Sequence, residues 1–171
     1  VPLYSLDRSQ EIPAPLDEVF AFFSNPGNLS RITPTWLRFR IVGEPPRELS
    51  EGSRLEYRIR WTLLTLKWVT RIVRWVPGVE FQDVQERGPY RTWMHTHRFA
   101  QRGRVVLMQD HVDYELPFGV LGRLAHGLRV RRQLEAIFDY RRRVIQELFP
   151  PPSPARPSRP RPVGPGAAAG S

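Results

Sequence analysis

Cysteine is absent from these 171 residues, so no disulfide framework, thiolate nucleophile or cysteine-ligated metal centre is open to the chain. Lysine is nearly absent too. Lys67 stands alone among 26 basic residues, and arginine carries the net charge of +9. Such a skew points to the codon bias of a GC-rich genome rather than to phosphate contacts. No apolar run approaches the roughly 20 residues that span a bilayer, and the first residues lack the charged-then-apolar pattern of a secretion signal. A soluble protein at a cytoplasmic address, without a transmembrane segment, is therefore expected. Helix-turn-helix, zinc-finger and RNP signatures are missing, so nucleic acid is not expected as a partner. Hydrolase elbow, phosphate loop and dinucleotide fingerprint are missing as well, which sets those reaction classes aside.

Composition divides the chain after Phe149. Residues 1–149 have globular composition and enough length for one domain with a sizeable core. Residues 150–171 consist of Pro, Arg, Ser, Gly and Ala apart from Val163. Such a segment cannot bury enough surface to offset its ordering entropy, and a disordered tail is expected. Its Arg156, Arg159 and Arg161 account for three of the +9 charges, leaving +6 on the domain.

Periodicity predicts a first strand from Leu3 to Ile12, stopped by Pro13 and Pro15. A short helix follows, with Leu16, Val19, Phe20 and Phe23 at helical spacing and Asp17 and Glu18 at its N-terminal dipole. A second helical piece is expected over Asn28 to Ile32, then a strand from Leu37 to Val42. From Arg54 to Trp61 alternation is clean, with Leu55, Tyr57, Ile59 and Trp61 on one face and Arg54, Arg58 and Arg60 on a solvated one. Strands are expected over Leu66 to Val76, where either face suits burial, and over Val79 to Gln85. Two more run from Tyr90 to Ala100 and from Arg104 to Tyr114. One long helix, Leu124 to Leu148, closes the domain, with a bend near Gly127.

The strand after Gly88-Pro89 carries the most unusual pattern, because alternation puts Trp93, His95, His97 and Phe99 on one face. If Arg102 and Gly103 form the centre of the following turn, His95 opposes Asp110, Trp93 opposes Val112, His97 opposes Met108 and Phe99 opposes Val106. A mostly apolar face then holds a histidine-carboxylate pair. His111 falls out of phase and points the other way. A two-histidine, one-carboxylate metal site from His95, His97 and Asp110 is a further reading, but Trp93 and Phe99 crowd it, and neither metal nor cofactor is expected.

Several of these features occur together in a known group. Ile12-Pro13-Ala14-Pro15 followed by Val19-Phe20 is one, and the Gly88-Pro89 turn with Trp93, His95, His97 and Phe99 is another. With the Asp110 to Tyr114 strand, Leu116-Pro117-Phe118-Gly119 and Ile137-Phe138 with Arg141, they resemble the START-like, helix-grip (SRPBCC) superfamily in its polyketide cyclase/dehydrase-like bacterial branch. The resemblance covers about Leu3 to Phe149. It implies an α+β fold in which a curved antiparallel sheet wraps a long C-terminal helix, with two short helices after the first strand. It also implies an internal cavity between helix and sheet, which relatives use for lipids, hormones, polyketides or aromatic compounds. Fold alone assigns no reaction.

The expected function is binding of a small hydrophobic or aromatic, lipid- or polyketide-like molecule. The residues expected to line its site are Tyr57, Trp61, Trp68, Trp93, His95, His97, Asp110, Tyr114 and Phe118. Each aromatic is equally a core residue, yet so many indole and phenol groups suit a ligand better than a dry core. Residues 118–122 form a candidate portal. An alternative is a cyclase or dehydratase in which His95 is a general base oriented by Asp110; the two residues are otherwise a buried polar pair ordering the sheet. A third reading is a protein or peripheral-membrane adaptor working through Arg129, Arg131, Arg132 and Arg141-Arg142-Arg143 of the helix, together with the tail.

Overall fold

A computed structural model describes residues 3–61, 64–117 and 129–151; at position 61 the backbone alone is described. The expected tail beyond Pro151, the portal over 118–122 and the bend at Gly127 lie outside the described residues.

Seven antiparallel strands form one sheet: β1 (Tyr4–Ile12), β2 (Arg40–Ile41), β3 (Arg54–Trp61), β4 (Leu64–Val76), β5 (Glu80–Arg87), β6 (Thr92–Arg102) and β7 (Val105–Glu115). Their spatial order is β1-β7-β6-β5-β4-β3-β2, a meander of hairpins closed on one side by the N-terminal strand. Helix α1 (Leu16–Ser24) follows β1, and α2 (Arg131–Leu148) lies against the sheet's inner face, as a helix grip requires. On β4 the buried face is that of Trp68, Thr70 and Ile72. Cross-strand pairing decides this, since Tyr57 opposes Trp68 and Leu55 opposes Thr70.

Three expectations are corrected. The second helical piece expected over Asn28 to Ile32 is shifted and divided, with 3-10 helices at Pro26–Asn28 and Thr35–Leu37. The Asn25 side chain accepts from the Gly27 amide at 2.9 Å and sets the first turn, and Pro34 ends the space in which an α-helix could grow. The strand from Leu37 to Val42 shrinks to Arg40–Ile41, because Arg38 takes the left-handed conformation (φ 45°) at the end of the second turn. Finally, the β6–β7 turn is centred on Gly103-Arg104, with Arg102 opposite Val105 and Gly103 at φ 59°. Glycine takes the first central position, where positive φ is needed, sparing an arginine that strain. His95 therefore opposes Val112, and His97 opposes Asp110. A displacement of two residues keeps every side chain on its face.

On the outer face His111 sits between Asp7 (Nδ1 to Oδ1, 2.6 Å) and Asp113 (Nε2 to Oδ2, 3.1 Å). Asp7 is the larger cause, with Asp113, of a pKa raised above the usual imidazole value. A raised folded-state pKa means stabilisation is full below the unfolded value, about 6.5, and fades as pH rises through the folded one. An NMR titration should give His111 a midpoint above that of a free imidazole. In His111→Ala the decline of Tm across this window should flatten; an unshifted midpoint would refute the contacts.

Candidate functional site

Between the sheet and α2 lies a cavity of about 160 Å³. Its apolar walls come from β3 and β4 (Leu55, Ile59, Ile72), the segment after α1 (Leu29, Ile32, Leu37) and α2 (Leu134, Ile137, Phe138). Of the residues expected from sequence, Tyr57, Trp68, Trp93, His95 and His97 line it. Asp110 and Tyr114 are buried but stand behind the wall: Asp110 beneath the histidines, Tyr114 against Tyr90 and Trp93. Phe118 and the Trp61 side chain lie outside the described residues.

The aromatic end is one interlocked set. Tyr57 stacks on Trp68 at 5.8 Å, and Trp68 meets Trp93 edge-on at 5.3 Å. The Gly88-Pro89 turn holds Tyr90 against them. Gln85 Nε2 donates to the Tyr90 carbonyl at 2.7 Å, and a Cβ on residue 88 would come within 2.2 Å of Gln85 Oε1. Glycine at 88 is thus what lets the Gln85 brace reach over the turn.

Across the middle of the inner face runs a polar belt: Asp83 on β5, His95 and His97 on β6, Asp110 on β7 and Arg141 on α2. Apolar neighbours flank it on each element. Phe81, Phe99, Met108 and Ile145 belong to one hydrophobic cluster, and Trp93, Val112 and Phe138 to the other. Asp110 Oδ1 is the hub. It lies 2.9 Å from His95 Nε2 and 2.8 Å from His97 Nδ1, the latter without hydrogen-bond alignment, and 4.0 Å from Arg141 Nη1. On the cavity side His95 Nδ1 is 3.8 Å from Asp83 Oδ2, and the two imidazole centroids are 3.9 Å apart.

Electrostatics follow from burial and these contacts. Desolvation alone would raise the Asp110 carboxyl, but His95 and then His97 outweigh it and hold the group ionised, well below the usual range. Desolvation, reinforced by His97, pulls His95 far below the ordinary imidazole value and keeps it neutral despite Asp110. An ionised Asp110 can only accept, so the His95 proton sits on Nε2 and the Nδ1 lone pair is free on the Asp83 side. Desolvation raises Asp83 to about 6, with Asp110 adding to the shift and His97 and Arg141 opposing it.

Asp83 and the inward role of Arg141 were missed in the sequence. Arg141, grouped from sequence with the basic residues of an adaptor surface, stands instead in the cavity wall, with its side chain 14% exposed. The signal was helical phase: Leu134, Phe138, Arg141 and Ile145 form one stripe at spacings of four, three and four. Asp83 lies two residues after buried Phe81, hence on the same face.

No described helix is long and apolar enough to cross a membrane. Among solved structures, a major latex-like protein from Panax ginseng superposes with a TM-score of 0.64 at 13% identity, over 87% of this chain and 99% of that one. A Thalictrum norcoclaurine synthase point mutant in complex with a transition-state analogue gives 0.61 at 14%, over 86% and 96%. A nucleoside-diphosphate sugar epimerase from Corynebacterium glutamicum gives 0.61 at 24% over 83% of this chain, which spans 28% of the epimerase. At these identities the likeness is one of fold. Among curated proteins none matches in sequence. The sequence profile described as polyketide cyclase / dehydrase and lipid transport matches residues 12–138, and with the helix-grip architecture around them the chain belongs to that family.

Proposed function

We propose that the protein binds a small aromatic, polyketide-like molecule bearing an acceptor oxygen, held in the cavity between sheet and α2. The observation that carries this reading is where the unpaired buried polar atoms fall. Trp68 Nε1 and Arg141 Nε are buried without a hydrogen-bond partner, and both residues line this one apolar cavity. Such atoms cost free energy unless something satisfies them, and a carbonyl or phenol oxygen on a bound ring would do so.

Size narrows the class. A cavity of about 160 Å³ is close to the roughly 150 Å³ that accommodates a benzene ring. It falls short of the ~300–1,000 Å³ typical of pockets for larger ligands, so one or two fused rings suit it better than a sterol or phospholipid. Titration with 2-naphthol, followed by tryptophan fluorescence, should give saturable quenching with a micromolar Kd. Ile137→Trp, which fills the half-buried α2 wall, should weaken it at least tenfold. Absence of saturable quenching would overturn the reading.

A second reading is a cyclase or dehydratase. The fixed tautomer favours it, because neutral His95 presents an Nδ1 lone pair beside the cavity while Asp110 holds the other nitrogen. A synthase of the same fold solved with a transition-state analogue supports catalysis as a use of this architecture. Turnover abolished in His95→Ala, with ligand binding only weakened, is the result this reading requires.

A further inference from the structure

We propose that Asp83, His95 and His97 form a two-histidine, one-carboxylate site for a divalent first-row transition metal, its open coordination positions facing the cavity. One ligating atom from each residue lies within 4.8 Å of the other two. Asp83 and His95 are direct cross-strand partners on β5 and β6, and His97 is the next residue on the same face, so the backbone itself sets the triangle. Metal bonds of about 2.0–2.2 Å place neighbouring donors roughly 3 Å apart. The 3.8 Å between His95 Nδ1 and Asp83 Oδ2 therefore closes by a side-chain adjustment.

Asp110 is the second line of argument. A histidine that ligates a metal commonly gives its other ring nitrogen to a carboxylate, which fixes the tautomer and aims the ligating lone pair. Asp110 Oδ1 contacts His95 Nε2 and His97 Nδ1, leaving His95 Nδ1 and His97 Nε2 as the nitrogens it does not hold. One carboxylate oxygen thus hydrogen-bonds one imidazole and lies against the other. Charge agrees: ionised Asp83 and Asp110 face one guanidinium, Arg141, so the belt can take a dication with modest net charge. A nitrogen-rich set without thiolate favours Fe²⁺, Co²⁺ or Zn²⁺ over Cu⁺ or Ca²⁺. Among the ligands considered from sequence, Asp110 gives way to Asp83 and becomes the residue that positions the two histidines.

The outer face supplies a control, since His111 with Asp7 and Asp113 is a separate histidine-carboxylate cluster. The full chain, stripped with EDTA, is titrated with Co²⁺ by visible absorption and with Zn²⁺ by calorimetry. Expected is one equivalent with ligand-field bands, lost in His97→Ala, weakened about 10- to 100-fold in Asp110→Asn and unchanged in His111→Ala. Absence of a saturable one-equivalent band overturns the proposal, as does a band lost in His111→Ala but kept in His97→Ala. Should the inner variants fail to fold, NMR of the unmodified protein decides: Co²⁺ must shift the His95 and His97 ring protons, and unshifted rings refute the site. Quenching by 2-naphthol in EDTA tests the cavity separately, so either idea can fail alone.

Discussion

Asp110→Ala is expected to lower folding stability by about 3–5 kcal/mol, the usual cost of removing one partner from a buried charged pair. The carboxylate accepts from His95, touches His97 and is a counter-charge for Arg141, whose side chain is largely buried. Alanine leaves that guanidinium and two imidazoles in a low-dielectric layer without their shared acceptor, so the loss comes from stranded groups more than from the missing bond. Urea unfolding should show a lower midpoint at an unchanged m-value. Adding Arg141→Met removes the stranded cation and should recover part of the loss, a non-additivity expected of residues sharing one network. A single-variant cost below about 1 kcal/mol would show that the belt is solvated and Asp110 is not its hub.

Phe138→Ala should cost about 3–5 kcal/mol, the range for deleting a buried phenyl ring. The ring is 5% exposed, meets His95 edge-on at 5.6 Å and lies under the Arg141 guanidinium at 5.0 Å. Because it also forms part of the cavity wall, deletion joins its volume to space already present. A small aromatic such as toluene should then raise the Tm of the variant more than that of the parent, because ligand binding to the folded state adds to stability. An equal rise in both would mean that the wall collapses inward and no enlarged cavity forms.

Much of this architecture was legible in the sequence. Alternation along Trp93, His95, His97 and Phe99 placed four side chains inward, as they are, since one face of a strand is read by counting in twos. The phase of His111 was read in the same way. Register was harder, because a two-residue displacement preserves every inward-outward assignment, and the local signal that distinguishes the alternatives is the backbone preference at Gly103. Arg141 was hidden by its neighbours: grouped with Arg142 and Arg143 it reads as surface charge, whereas helical phase puts it with Leu134, Phe138 and Ile145. Asp83 carried only its place two residues after Phe81. The histidines come from the next strand of the same hairpin, but the register across the Gly88-Pro89 turn, which puts His95 opposite Asp83, is not written in either strand alone.

The position of the polar belt bears on how the chain finds its pairing. Hydrophobic patterning cannot tell β6 and β7 in their native alignment from the same strands slipped by two, since Phe99 opposite Val106 would be as apolar as Phe99 opposite Met108. The belt can. In the slipped arrangement Met108 would oppose His97, and Asp110 would face His95 from the neighbouring position, losing its direct cross-strand place beside His97. Five polar side chains at two adjacent levels thus act as a key for strand alignment, and the groups best suited to chemistry also select the one sheet in which they meet.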